Sequence, residues 1–148
     1  MNKAKEPLVV HDRQTLERVE RNAGTVGLVV TRGNWHPGHQ AAFAEASGRV
    51  DTLVASVYTD PVGPAFETTS DMISAADLEL AARSGVDIIF APSTEAFYPF
   101  GAALTVLDPG QIIRQYEGAH HPEQARDRLT QLVKMLGIVR PCLLYTSD

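Results

Sequence analysis

Apolar residues recur along this chain in short continuous runs, separated by longer stretches with helical spacing. Three runs rich in β-branched residues, 25–30, 52–59 and 86–92, are typical of strands buried on both faces of a parallel sheet. Between them, residues 39–50 and 70–85 place Ala, Phe, Met, Ile and Leu at the spacing of amphipathic helices. The pattern therefore predicts alternating strands and helices.

Residues 12–24 predict a further helix upstream, with Leu16 and Val19 facing inward. In the helix of residues 70–85, Ser70 is the predicted N-cap and Gly85 the predicted stop. A helix–strand alternation of this kind indicates an α/β fold, a Rossmann-like, doubly wound parallel sheet.

The pattern weakens after Pro92. It predicts a turn at residues 98–101, a short strand at 103–108, a helix starting at Pro109 and a long helix over 122–137. We expect one nucleotide-binding domain over residues 1–141. Residues 142–148 stop in the middle of a strand and look like translated adapter sequence, so we expect that they do not belong to the natural product.

Net charge and composition indicate which binding partners and which cellular location to expect. The 148 residues carry a net charge of -5, whereas domains that bind nucleic acid usually carry a basic stripe, so nucleic acid is not expected as a partner. A single cysteine fits a reducing compartment, and the N-terminal residues contain neither a signal peptide nor a membrane span. These features predict a cytoplasmic protein without a membrane partner.

The candidate chemistry lies in the stretch TRGNWHPGH, residues 31–39, which follows the first long strand. Ligands of open α/β sheets bind beyond the carboxyl ends of the strands. Gly33 and Gly38 let the backbone approach a ligand, and Pro37 suits the first turn of a helix whose exposed N–H groups attract anions. His36 and His39, three residues apart, would face the same anion.

The imidazole pair has three interpretations. It binds phosphate groups and stabilises charge during phosphate chemistry, it has a structural role such as helix capping, or it supplies part of a metal site. The metal interpretation needs a third ligand, and the sequence offers no cysteine or carboxylate at convincing spacing. The sequence alone leaves all three open.

At these residues the chain resembles the pantothenate synthetase (pantoate:β-alanine ligase) family, which shares an H-x-G-H loop with class I aminoacyl-tRNA synthetases and nucleotidyltransferases. The likeness continues through SVYTDP, AADLELAARSGVDIIFAPSTEAFYP, YEGAHHP and LVKMLGIVRP, over about residues 7–141. The nucleotidyltransferase spacing fits less well.

The resemblance implies a reaction in two steps. ATP and pantoate give pantoyl adenylate and pyrophosphate with magnesium, and β-alanine then displaces AMP. His36 and His39 would bind the ATP phosphates as catalytic residues, while Gly33 and Gly38 complete the ATP loop. Asp77 matches a carboxylate near magnesium, although a charge on the helix surface is the simpler interpretation. The family's lid domain and a possible homodimer are further implications, and we expect the lid to be absent here.

The chain departs from the family pattern around the acid substrate. Arg32 replaces a methionine, Asp60 an asparagine and His121 an arginine, and Arg128 and Gln131 stand at two apolar pocket positions. All five are candidate substrate-binding residues, and a more anionic acid than pantoate is conceivable. Arg128 and Gln131 also fit the solvated face of an amphipathic helix, with Leu129, Leu132 and Leu136 inward.

Three functions follow. The first is an ATP-dependent, AMP-forming ligase that condenses pantoate with β-alanine. The second is a divergent or inactive paralogue that binds nucleotide or acts as a partner domain. The third is a nucleotidyltransferase with another acceptor.

Overall fold

The computed structural model of the protein describes residues 5–58, 73–101, 106–115 and 117–146. Two short 3-10 turns precede the longest helix. In chain order, the strands and longer helices are β1 (Leu8–Val10), α1 (Arg13–Glu20), β2 (Val26–Thr31), α2 (Pro37–Ser47), β3 (Thr52–Val57), α3 (Ala75–Ser84), β4 (Ile88–Phe90), α4 (Thr94–Phe97), α5 (Pro122–Val139) and β5 (Leu143–Thr146).

The five strands form one sheet in the order β1-β4-β3-β2-β5, and every neighbouring pair is parallel. A single row of paired residues crosses the whole sheet, from Val9 through Ile89, Ala55 and Val29 to Tyr145. Because parallel strands need crossover connections, helices separate them in sequence. The predicted α/β class with a parallel sheet is confirmed.

Helices cover both faces of the sheet. Phe43 of α2 and Ala81 of α3 pack on the face that carries the row from Val9 to Tyr145. On the opposite face, Leu16 of α1 and Ile138 of α5 pack against the alternate strand residues. Since side chains alternate along a strand, continuous apolar runs supply both layers, as the doubly wound arrangement requires.

The predicted C-terminal end of α3 is confirmed, whereas its N-terminal end lies at a different residue from the predicted one. Gly85 ends α3 in the left-handed conformation, with φ of 82° and its N–H bonded to the Ala81 carbonyl, as predicted. The N-cap, however, is Ser74, whose hydroxyl accepts the N–H of Asp77. Ser70 lies outside the described residues, and α3 begins five positions after it.

Three segments differ from the sequence prediction. β1 was missed, because three apolar residues at a sheet edge carry too little pattern to separate from a loop. Of the predicted strand at 103–108, the described residues 106–108 are not in a strand. The helix expected from Pro109 is the 3-10 turn Gly110–Arg114.

The long C-terminal helix is confirmed and extends to Val139. The doubted segment 142–148 contains β5, which pairs with β2 from Gly27 to Val30. Whether this segment belongs to the natural product stays a prediction. No helix among the described residues is long and apolar enough to cross a bilayer.

Glu20, at the end of α1, gives the fold a dependence on pH. Burial raises the pKa of Glu20 from its ordinary value of 4.5 to about 7, against the opposing effect of Arg140. Its Oε1 atom is buried without a hydrogen-bond partner among the described residues. Between these two pKa values the folded chain holds a proton that the unfolded chain has lost, so stability falls as pH rises.

We therefore expect Glu20→Gln to remove this decrease in folding stability with rising pH. Because Glu20 is only partly buried, solvent screening limits the gain at about pH 8 to about 1 kcal/mol, with no gain at about pH 4. Urea denaturation of both proteins across this pH range measures the difference. An equal effect of the substitution at both ends of the range would contradict the assignment.

Candidate functional site

A cleft of about 690 Å³ opens at the carboxyl ends of the central strands. Val30 and Thr31 of β2 and Ser56 of β3 form its floor, and the cleft-facing side of α5 forms one wall. The loop from β2 to α2 and the first turn of α2 form another wall, to which the loop contributes His36 and the helix contributes His39. The volume lies within the range of small-molecule sites, so the predicted ligand position at this sheet edge coincides with a real cavity.

The two imidazoles are held by a reciprocal helix cap. His36 is the N-cap of α2, and its Nδ1 accepts the N–H of Gly38 at 3.1 Å. The Nδ1 of His39 accepts the N–H of His36 at 3.2 Å. The ring centroids are 4.0 Å apart. The capping interpretation is therefore realised, with imidazoles in the places usually taken by Ser or Thr and Glu.

The cap decides which nitrogen carries the proton. A nitrogen that accepts a backbone N–H is unprotonated, so the cap assigns the proton of each neutral ring to Nε2. Each ring then presents a donor from its far end, which suits phosphate oxygens because these only accept. A metal ion would need an unprotonated nitrogen instead. Among the described residues no three His, Cys, Asp or Glu side chains cluster as metal ligands.

The two glycines of the loop have different roles. Gly33 lines the cleft with φ of 89°, a conformation that favours glycine. Gly38 is not among the residues that line the cleft. A Cβ added there would lie 2.8 Å from Cε1 and 3.0 Å from Nδ1 of His36. Gly38 makes room for the imidazole, which differs from the expected close approach to the ligand itself.

Trp35 anchors the loop from below. It is buried, its ring meets Phe43 edge-on at 5.0 Å, and its Nε1 donates to the Thr31 hydroxyl at 2.7 Å. That hydroxyl donates to the Ser56 carbonyl at 2.9 Å and accepts the Gly33 N–H at 3.3 Å. The side chain before His36 is thus tied to β2 and β3, so the imidazole pair stands on a rigid base.

Asp77 joins the same loop to α3. It is 7% exposed, so the interpretation as a charge on the helix surface is wrong. Its Oδ1 accepts the Trp35 N–H at 3.2 Å, and its Oδ2 accepts the N–H and the hydroxyl of Ser74, each at 2.9 Å. Asp77 does not line the cleft. With both oxygens bonded, the carboxylate acts as a link between α3 and the histidine loop.

Three of the five candidate substrate residues line the cleft, namely Arg32, Arg128 and Gln131. Arg128 and Gln131 lie on the cleft-lining face of α5, and Arg128 is also exposed, as the solvated-face interpretation expects. His121 is exposed at the N-cap of α5 and does not line the cleft. Asp60 lies outside the described residues.

Sequence reasoning missed several cleft residues. Tyr58 and Phe97 stack at 4.0 Å between ring centroids and form one side of the cavity. Ser56 also contributes, and its buried Oγ has no hydrogen-bond partner among the described residues. The available signal was position, because Ser56 and Tyr58 lie at the carboxyl end of a predicted strand.

Fold and site together define a class: a doubly wound parallel α/β domain with an imidazole pair at a helix start, facing a cleft at the carboxyl edge of the sheet. The particular family follows from comparison. The model of the Pantoate-beta-alanine ligase family matches residues 8–147. The chain belongs to this family.

Individual relatives of this chain are pantothenate synthetases. The pantothenate synthetase of Chlorobaculum tepidum is 37% identical over 128 residues, which are 83% of this chain and 44% of that protein. That of a Nocardioides species is 36% identical and matches 91% of this chain and 44% of its own length. The chain thus spans about half the length of these relatives.

Solved structures agree in fold. Pantothenate synthetase from Thermus thermophilus superposes with a TM-score of 0.75 at 30% identity, over 93% of this chain and 51% of that one. A pantoate-beta-alanine ligase from Francisella tularensis, solved in complex with beta-gamma ATP and beta-alanine, gives a TM-score of 0.77 at 24% identity. This superposition covers 94% of this chain and 56% of the Francisella tularensis chain.

Gly38→Ala tests the space beside His36. The added methyl group would overlap the imidazole, so the ring must move and its side-chain NMR resonances should shift. Gly137→Ala is the matched control, since nothing lies within 4 Å of a Cβ at that exposed position of α5. It should leave the His36 resonances unchanged and stabilise the protein by about 0.5–1 kcal/mol. Unchanged His36 resonances in Gly38→Ala would refute the steric argument.

Asp77→Ala tests the link between α3 and the loop. It removes the carboxylate that accepts the Ser74 N–H and hydroxyl and leaves the buried Trp35 N–H without an acceptor, so we expect a loss of about 2–3 kcal/mol in the free energy of unfolding. Ser74→Ala removes the cap alone and should cost about 1 kcal/mol. Denaturant unfolding measures both. A loss in Asp77→Ala no larger than that in Ser74→Ala would contradict the role of the carboxylate as a link to the loop.

Proposed function

We propose that this chain binds ATP in the cleft and forms the histidine-bearing half of the nucleotide site of an AMP-forming acid–amine ligase. The observation that carries the proposal is the reciprocal cap, which holds His36 and His39 at the cavity with each Nδ1 as an acceptor and the proton of each neutral ring on Nε2. Membership of the ligase family supports the same reaction class.

The proposed chemistry needs donors where negative charge grows. A carboxylate oxygen of the acid attacks the α-phosphorus of ATP, the bond to the bridging oxygen breaks, and pyrophosphate leaves with the electron pair. An amine then attacks the acyl carbon and AMP leaves. Fixed donors stabilise such charge without reorganising, and one well-placed donor contributes about 3 kcal/mol. His36 and His39 supply two, positioned by the protein's own backbone.

The acid and the amine are pantoate and β-alanine in the reaction after which the family is named. For this chain they remain part of the proposal, because it spans about half the length of its relatives. The Arg128 and Gln131 side chains at the cleft favour a second candidate, a paralogue that binds nucleotide without making pantothenate. Pyrophosphate release with pantoate and β-alanine, compared with ATP alone, separates the two.

The resemblance to the family implies magnesium, but the described part of the cleft lining offers it no carboxylate. The described residues that line the cleft include neither Asp nor Glu, and both oxygens of Asp77 are bonded within the loop link. The proposed roles of His36 and His39 therefore do not depend on a metal ion held by this chain. A cytoplasmic location, a homodimer and the absence of nucleic-acid or membrane partners stay predictions.

The sharpest test of nucleotide binding keeps the cap and removes the donors. In His36→Asn the amide oxygen can replace Nδ1 as the acceptor for Gly38, because Asn is a favoured N-cap residue, but the shorter amide NH2 does not reach the position of Nε2–H. We expect ATP to raise the melting temperature of the parent protein, and His36→Asn/His39→Asn to lose most of this shift. Differential scanning fluorimetry with and without ATP measures it.

The comparison is matched because the double variant should melt near the parent temperature without ATP. A parallel His11→Asn variant alters a histidine that does not line the cleft, and it should keep the full ATP shift. An undiminished shift in the double variant would exclude the imidazole pair from nucleotide binding. The absence of an ATP-induced shift in the melting temperature of the parent protein would contradict the proposal.

A further inference from the structure

Asn34 is a polar residue of the cleft to which the chemistry described above gives no role. It is exposed and lines the same cavity as His36. Neither its backbone N–H nor its side-chain amide forms a hydrogen bond with another described residue. An amide side chain offers two N–H donors and an acceptor oxygen, so a ligand in the cleft meets a polar group that the described part of the chain does not already use.

The backbone at Asn34 has a left-handed conformation, with φ of 51°. Among the described residues other than glycine, only Arg140 shares a positive φ. Asparagine tolerates this conformation better than most residues, so a turn requirement alone could explain Asn34. Glycine would meet the same requirement without strain. A turn residue and a ligand-binding residue therefore differ in what glycine at position 34 would do.

The buried indole of Trp35 separates two exposed neighbours. Trp35 is buried in the core below the loop, whereas Asn34 and His36, which flank it in sequence, are exposed and line the cleft. The side chains of Asn34 and His36 therefore share the cleft side of the loop. Because Cα atoms two positions apart are separated by at most about 7 Å, one polyphosphate chain can contact both residues.

Hydrogen bonds on both sides of Asn34 hold its backbone in place. The N–H of Gly33 donates to the Thr31 hydroxyl at the end of β2, at 3.3 Å. The N–H of Trp35 donates to Oδ1 of Asp77 in α3, at 3.2 Å. Asn34 thus lies between two anchored peptide groups before any ligand binds. A donor that is fixed in advance loses less conformational entropy on binding than a donor on a free loop.

We propose that Asn34 is a further nucleotide-binding residue whose side-chain N–H donates a hydrogen bond to a phosphate oxygen of ATP. The inference rests on the proposed function, because that function places the phosphates at the end of the cleft that contains His36. Phosphate oxygens act as acceptors, so the amide nitrogen makes the contact rather than the amide oxygen. A hydrogen bond to a charged oxygen is about twice as strong as one between neutral groups.

Asn34→Gly separates the amide from the turn. Glycine adopts the left-handed backbone readily, so the variant should fold like the parent protein while it loses the donor. We expect it to bind a non-hydrolysable ATP analogue about tenfold more weakly, as measured by isothermal titration calorimetry. Asn34→Asp keeps the size of the side chain but replaces the donor with a negative charge, so it should bind the analogue more weakly still.

Arg140→Gly is the matched control. Arg140 has φ of 49°, is exposed at the end of α5 and does not line the cleft. Glycine again replaces a left-handed residue, so this variant should bind the analogue as tightly as the parent protein does. The melting temperature of each variant without ligand checks that the fold is kept.

The outcomes separate this inference from the proposed function. If the parent protein and Asn34→Gly bind the analogue equally well, Asn34 is only a turn residue, and the inference is overturned while nucleotide binding stands. If Asn34→Asp binds at least as tightly as Asn34→Gly, the contact to a phosphate is wrong. An equal loss in Arg140→Gly would trace the effect to the fold and also overturn the inference.

A parent protein that does not bind the analogue overturns the inference together with the proposed function. Weaker binding in Asn34→Gly and weaker binding again in Asn34→Asp, with Arg140→Gly unchanged, supports the assignment of Asn34 to the phosphates.

Discussion

The reciprocal cap at the start of α2 is the interaction on which the candidate site depends. A helix start leaves backbone N–H groups without partners, and short oxygen side chains usually satisfy them. Here His36 and His39 do so through Nδ1. The same two bonds therefore stabilise a helix, fix the angle of two rings and leave the proton of each neutral ring on Nε2. The structural role is realised, and the proposed chemical role would use the same arrangement, so the two interpretations do not exclude each other.

The cap is useful only because the chain before it cannot move freely. Thr31 joins β2, β3 and the indole of Trp35 through one hydroxyl, and Asp77 holds the Trp35 backbone from α3. Each hydrogen bond of this kind contributes little to the free energy of unfolding, but a buried donor or acceptor left without a partner destabilises the fold much more. The loop is consequently held both by the ends of β2 and β3 and by α3, although the residues that hold it are far apart in sequence.

Sequence reasoning succeeded where a local pattern carries the information. Continuous apolar runs identified β2, β3 and β4, and Gly85 marked the end of α3 because a left-handed residue commonly closes a helix. β1 was not predicted, because three residues at the edge of a sheet are too few to show a periodic hydrophobic pattern. The N-cap of α3 fell on Ser74, because Asp77 three positions later completes the capping box with it. The cleft-lining positions of Arg128 and Gln131 depend on where α5 packs, which no local pattern encodes.

The position of Trp35 has a practical consequence. It is the single tryptophan of the chain, and its indole is buried directly beneath the histidine loop. Its fluorescence therefore originates from one defined place, next to the imidazoles and behind the cleft. A rearrangement of this loop would alter the emission of an intrinsic probe, so the protein carries its own optical reporter without any label.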